Sequence, residues 1–302
     1  MMHRIAARLF NTPLFCHPGK AAAILAGIGG RITGRDIEIE GAEAIQHWAT
    51  GGLVRSMGTL SERMGRNMQR RGQQPYDVVN GVAVIPVEGS LVHKGAWLES
   101  DSGETSYQGI QTQVQAARRD PAVKGVVLEV DSYGGEVSGA FETSDMIAAL
   151  SAEKPTMAIL TDSAYSAGYL LASAARQVVV PEQGGTGSIG VIALHVDMSG
   201  KMEQQGLKVT VLSAGAHKAD GGPFGPLPDH VAAEYLADME IARQTFAGRV
   251  AKYRGKRLTL EAAMATEART YRGAAAVNAG LADATGTPFE TFQAFVSAVN
   301  RA

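Results

Sequence analysis

From Val79 onward the apolar positions of this chain fall into short unbroken runs separated by segments with helical spacing. GVAVIPVEG at 81–89 is an apolar run closed by glycine, and KGVVLEVD at 124–131 is a second. Between them, GIQTQVQAARRD at 109–120 sets Ile110, Val114 and Ala117 three or four apart, the spacing of one helix face. The alternation continues with a helix over 136–150, a strand over PTMAILT at 155–161, and a helix opened by Ser166. Two more strands are predicted, RQVVVP at 176–181 and GSIGVIALHVD at 187–197. Strands alternating with helices imply parallel pairing and a layered α/β core. The last third is mostly helical. In its longest segment, 228–255, Val231, Tyr235, Met239, Ala242, Phe246, Val250 and Tyr253 form one apolar stripe, which needs a core or a neighbouring subunit to cover it.

The pattern before Val79 differs. Residues 1–50 read as a small helical arm, 51–76 as a linker, and 77–302 as the main domain. The linker holds five arginines against one glutamate among glycines and glutamines, the composition of a solvated connector, with contact to an acidic partner or RNA as the alternative. Arg4 and Arg8 precede the apolar AAAILAGIGG at 21–30, but that run is too short to span a bilayer and polar residues interrupt the approach, so a soluble start is expected.

Composition narrows the classes. With 302 residues, 45% of them apolar and 19% charged, the chain buries a full core. A formal charge of −2 gives no reason to expect nucleic-acid binding, and a single cysteine, Cys16, excludes an intrachain disulfide framework, so a reducing cytoplasm is the expected setting.

Two segments carry the candidate chemistry. DSAYSAGYLLASAA sets Ser166 among small residues at the start of an apolar helix, where free N–H groups and the helix dipole favour developing negative charge. SAGAHKADGGPFGPLPDH sets Lys218 among short, mostly uncharged residues. Together they suggest a serine hydrolase with a lysine general base. Such a base needs burial, because an ordinary lysine pKa near 10.4 must fall by roughly 3 units to act near neutrality. Ser166 also fits an ordinary helix cap, and Ser163 competes for either role. In VDSYGGEVSGA, the amides of Gly134 and Gly135 end a strand where an oxyanion would be received, or else make a plain turn. The amide of Ala167, next to Ser166, is a further donor. Ser188, in GGTGSIGVIAL, is placed to hold the lysine amine or to serve as a turn residue. Histidine triads built on His195, His217 or His230 lack a nucleophile-elbow motif, and no histidine pair has zinc-helix spacing, so neither metal nor cofactor is expected.

Taken in order, VNGVAVIPVEGSLV, YQGI at 107–110, DSYGGEVSGAF, YSAGYLLASAA, TGSIGV, SAGAHKADGGPFGPLPDHV and YRGAAAVNAGLAD at 271–283 resemble the S49 serine peptidases, the signal peptide peptidase A group. With NTPLFCHPGK at 11–20, the chain is most similar to that family's phage head-maturation branch. The resemblance implies a Clp protease/crotonase-like fold and a Ser-Lys dyad, with Ser166 as nucleophile, Lys218 as base and Ser188 holding the lysine. It makes Gly135 and Ala167 the oxyanion donors and gives Gly134 the shaping of the loop. Tyr133 stands where the family commonly has proline, and Ala167 where cellular members commonly have glycine. The resemblance further implies a homo-oligomer in which neighbouring subunits can complete the dyad. It implies protein substrates such as scaffold, portal, capsid protein or the chain itself, inside a procapsid in the host cytoplasm. A cellular signal peptide peptidase, a non-catalytic assembly factor and a crotonase-type acyl-CoA enzyme are the rival classes.

Overall fold

The computed structural model describes residues 14–16, 75–94 and 103–301. The expected arm at 1–50 and linker at 51–76 lie outside these residues, apart from Tyr76, its neighbour at 75, and one short strand in the arm. That strand, β1 (Leu14–Cys16), stands where the sequence reading expected helix.

In chain order there follow β2 (Asp77–Val79), β3 (Val82–Val92), β4 (Glu104–Ser106), α1 (Tyr107–Arg119), β5 (Gly125–Glu136), α2 (Ala140–Glu153), β6 (Thr156–Tyr165) and α3 (Ala167–Ser173). Next come β7 (Gln177–Val180), β8 (Gly185–Gly187), α4 (Ser199–Gln204) and α5 (Asp229–Arg254), which runs into a 3-10 turn, Gly255–Arg257. The chain closes with α6 (Leu260–Ala265), β9 (Thr270–Arg272), α7 (Gly273–Asn278), β10 (Ala284–Thr285) and α8 (Pro288–Arg301). The fold is the expected layered α/β arrangement with a helical C-terminal part. Along the sheet the order is β10-β7-β6-β5-β3-β2, and every neighbour on that path is parallel except β2 and β3.

Both faces of the central strands are covered, which explains their unbroken apolar runs. Ala83, Ile85 and Val87 of β3, Val126, Leu128 and Val130 of β5, and Ala158 and Leu160 of β6 share one core with Ile110 and Val114 of α1, Ile147 and Leu150 of α2, and α3. The alternate residues Val82, Val84, Val127, Met157 and Ile159 face the other way and pack against Phe292, Phe295 and Val299 of α8. The period of two along each strand thus assigns its residues to two separate layers.

Of the two readings of Gly134 and Gly135, the strand end holds and the plain turn does not: both lie in the last residues of β5, held on both sides by other strands. The strand expected over 187–197 ends at Gly187, and beyond it Ile192 alone among the described residues of 188–197 makes an isolated bridge. The apolar stripe of α5 is as expected: Val231, Phe246 and Val250 are buried and Tyr235, Met239, Ala242 and Tyr253 half-buried, while Leu236 and Ile241, off the stripe, are 62% and 63% exposed.

A buried ion pair ties the C-terminal part to the sheet. Arg254 at the end of α5 is almost fully buried and grips Asp283 through Nη1 at 2.8 Å and Nη2 at 3.1 Å, while its Nε donates to the Gly280 carbonyl. Asp283 also accepts the Val178 amide of β7 and a hydrogen bond from Arg257. Burial pushes the Asp283 pKa up, but the Arg254 hydrogen bonds, the Val178 amide and Arg257 outweigh it and hold the carboxyl below its ordinary value.

Candidate active site

The candidate nucleophile is the residue at which β6 becomes α3. Ser166 has φ 54° and ψ −122°, a conformation that costs a non-glycine residue about 1–3 kcal/mol and persists only where its surroundings fix it. Two hydrogen bonds do so: its N–H donates to the Gly187 carbonyl at 2.8 Å, and its C=O accepts from the Leu170 amide at 2.9 Å. Ser166 is fully buried, and its Oγ has no hydrogen-bond partner among the described residues. A hydroxyl caged without a partner costs about 1–3 kcal/mol, which makes the position unusual for a structural serine. It is not the side-chain cap of α3, which has no side-chain cap bond.

The strand beside β6 presents Ser188. β8 pairs with the end of β6 in parallel, Tyr165 opposite Gly187, so Ser188 lies just beyond that pair as Ser166 does. It too is buried and has positive φ, 57°, with its N–H given to the Arg269 carbonyl. The competitor Ser163 sits within β6, its Oγ 3.3 Å from Asp162 Oδ1, three residues short of the turn.

On the other side of β6 lies the end of β5. The Gly134 N–H is already given to Ser132 Oγ at 3.1 Å, and Ser132 Oγ donates in turn to the Gly89 carbonyl at 2.7 Å. Gly135 has no room for a side chain, because a Cβ there would lie 1.8 Å from the Leu91 carbonyl oxygen. At the first turn of α3, a Cβ on Gly168 would lie 2.8 Å from the Ser132 carbonyl oxygen. The two segments that carry Gly135 and Ala167 are therefore packed backbone against backbone across Ser132. Ala167 is the first helical residue of α3, where amides lack an intrahelical acceptor. Ser132, which links the two segments, was not singled out from the sequence; its only signal is its place between the β5 run and the paired glycines.

Tyr133, the residue in place of the common proline, is half-buried and stacks edge-on against Tyr165, with ring centroids 5.3 Å apart. Burial, then the nearby Asp162 and Asp131, raise its hydroxyl pKa.

Lys218 does not join this cluster within one chain. It lies in an exposed turn, its N–H bonded to the Gly215 carbonyl, and among the described residues no hydrogen bond or ion pair links it to Ser166 or Ser188. The burial expected of a lysine base is therefore absent among the described residues of one chain. In the sequence on either side of Lys218, Leu207, Val209, Val211, Leu212 and Phe224 are exposed, Leu212 to 91%. His217 is held by Asp220 at 2.8 Å, a contact that raises the imidazole pKa. Glu234 brings a third ligand atom within 4.8 Å of these two, an open surface grouping that differs from the scattered histidines read in the sequence. Of the other triad candidates, His195 bonds the Gly222 carbonyl, away from Ser166. Among the described residues no helix is long and apolar enough to cross a membrane.

The capsid assembly protease C of Escherichia phage lambda is 37% identical over 281 residues, which are 92% of this chain and 62% of that protein. The head-tail preconnector protein GP5 of Enterobacteria phage P21 is 36% identical over 99% of this chain and 58% of its own length. The chain thus spans about three fifths of the length of these relatives. Among solved structures, an enoyl-CoA hydratase/isomerase family member aligns over 74% of the chain at 16% identity and a TM-score of 0.44. The family model for Peptidase family S49 matches residues 148–300, a little over half of the chain and inclusive of Ser166, Ser188 and Lys218, and the chain belongs to that family.

Proposed function

We propose that this chain is a serine endopeptidase with a Ser166–Lys218 dyad that acts during phage capsid assembly. One observation carries the chemical part: Ser166 is strained, buried and unpartnered at a strand-to-helix turn, flanked by backbone amides. Neutral Lys218 removes the Ser166 Oγ proton as Oγ attacks a peptide carbonyl carbon. The amides of Gly135 and Ala167 receive the resulting oxyanion, each donor being worth about 3–4 kcal/mol in a well-formed hole. The protonated lysine gives its proton to the leaving amine. Water then attacks the acyl-enzyme with Lys218 again as base, and Ser166 is restored. Ser188 orients the lysine amine.

An exposed lysine does not perform this role, and in this reading a second copy of the chain buries Lys218. The exposed Leu207, Val209, Val211, Leu212 and Phe224 on either side of it in the sequence, and Leu236 and Ile241 on α5, are the surface such a copy would cover. The capsid role rests on the two phage relatives, and scaffold, portal, capsid protein or the chain itself are the proposed substrates, met within a procapsid in the host cytoplasm.

The test is labelling of Ser166 by a serine-reactive fluorophosphonate together with self-cleavage on a gel. Wild type is expected to label and cleave, and Ser166→Ala and Lys218→Ala to do neither. A wild type inert in every oligomeric state would leave the non-catalytic assembly factor as the reading.

A further inference from the structure

A strand has two hydrogen-bonding edges, and the end of β5 uses both. Gly134 and Gly135 lie opposite Ser90 and Leu91 of β3 on one edge. On the other edge, β6 follows β5 only as far as the Ser132–Ala164 pair, then ends at Tyr165 and turns away at Ser166. That departure leaves the edge of Gly134–Glu136 open beside the nucleophile. It is the place where an extended peptide would add a strand to reach Ser166, main-chain hydrogen bonds holding it whatever its sequence.

In this chain the slot is filled from within. β1 lies along it in antiparallel register, Leu14 opposite Glu136, Phe15 opposite Gly135 and Cys16 opposite Gly134. Because β1 runs opposite to β5, its Cys16 end is the one nearer Ser132 and the turn at Ser166, so the backbone heads toward the nucleophile as the acyl side of a substrate would. The sequence in the slot, Leu-Phe-Cys, is apolar throughout.

We propose that Leu14–Cys16 is an intramolecular occupant of the substrate strand site, and that an apolar extended peptide binds there only by displacing it. The inference rests on the peptidase reading of Ser166. A tethered segment acts at an effective concentration far above that of a free peptide, so a competing peptide of the same sequence should bind the full chain at least about tenfold more weakly than a chain whose β1 cannot pair.

Two measurements on the full chain test this. In the first, Leu14→Cys and Glu136→Cys are combined with Cys16→Ser. Directly opposed antiparallel residues have Cα atoms about 4.5–5.5 Å apart, within disulfide range, so mild oxidation should close an intramolecular disulfide. In the second, a fluorescein-labelled decapeptide of residues 11–20 is titrated by polarisation into Ser166→Ala and into Ser166→Ala carrying Leu14→Pro and Cys16→Pro. The proline variant, which cannot donate ladder bonds at these positions, should bind at least about tenfold more tightly. Failure of the disulfide to form, equal affinity in the two proteins, or binding to neither would each overturn the proposal. Neither measurement needs catalysis, so an inert wild type sinks the peptidase reading without deciding this one, and an active wild type with no disulfide and no affinity difference sinks only this one.

Discussion

Ser166 and Ser188 occupy matching places at the ends of two paired parallel strands. Each lies one residue beyond the Tyr165–Gly187 pair, each is buried, and each has a positive φ, 54° and 57°. The Gly187 carbonyl, immediately before Ser188, accepts the Ser166 amide, so the conformation of one serine is tied to the strand that delivers the other. Two strained hydroxyl residues side by side serve no packing need that glycine would not meet more cheaply.

That strain yields a stability prediction. At Ser166, glycine accepts the φ of 54° without steric cost, and loss of the unpartnered hydroxyl removes a desolvation penalty. Ser166→Gly should therefore raise stability by about 1 kcal/mol, measured by thermal or denaturant unfolding, while abolishing labelling. A loss of stability would mean that the hydroxyl is held by a partner in the folded protein.

Ser188 is assigned to positioning, not to bond making. Ser188→Ala should slow fluorophosphonate labelling by about 10- to 100-fold and move the pH profile, since the lysine amine loses a hydrogen-bond partner. Ser188→Thr, which keeps the hydroxyl, should recover part of the rate. A Ser188→Ala protein with unchanged rate and profile would remove Ser188 from the mechanism.

The exposure of Lys218 in one subunit makes a prediction about assembly. If the dyad forms between neighbours, mixing inactive Ser166→Ala with inactive Lys218→Ala should restore labelling, because mixed oligomers pair an intact serine with an intact lysine. Labelling should also fall on dilution below the dissociation constant of the oligomer. No recovery on mixing, with wild type active, would place both residues of each dyad in the same chain.

Away from the site, Asp283 should control the acid stability of the domain. Its carboxyl is held below the ordinary value of about 3.9, so its contribution is complete above that value and is lost as pH falls through the lower folded pKa. Asp283→Ala strands the buried Arg254 and should cost about 3 kcal/mol near pH 7, roughly 10 °C in Tm for a domain of this size. The Tm difference from wild type should narrow below about pH 4. A difference that stays constant through that range would contradict the pairing.

Much of this fold was legible because β3, β5 and β6 are buried on both faces, which writes itself into the sequence as unbroken apolar runs at 81–89, 124–131 and 155–161. The place of Ser166 at the start of a buried helix was legible for a related reason: a serine amid Ala and Gly before an apolar run leaves room for close backbone approach. What the sequence hid depends on pairing across distance. That Gly134 and Gly135 end a strand was one of two local readings, but that Leu91 lies behind Gly135 and β1 in front was not legible. The apolar run after Gly187 has the composition of a strand but, among the described residues, pairs only through an isolated bridge at Ile192. Arg254 and Asp283, 29 residues apart, carry no local pattern at all. Lys218 shows the limit most plainly, since small neighbours permit burial but do not supply the surface that buries it.

The most direct measurement is fluorophosphonate labelling of the assembled wild-type protein, with the labelled residue identified by peptide mass spectrometry and Ser166→Ala and Lys218→Ala run beside it. The account predicts one adduct, on Ser166, absent from both variants. An adduct on Ser163 or Ser188, or labelling that survives Lys218→Ala unchanged, would contradict it.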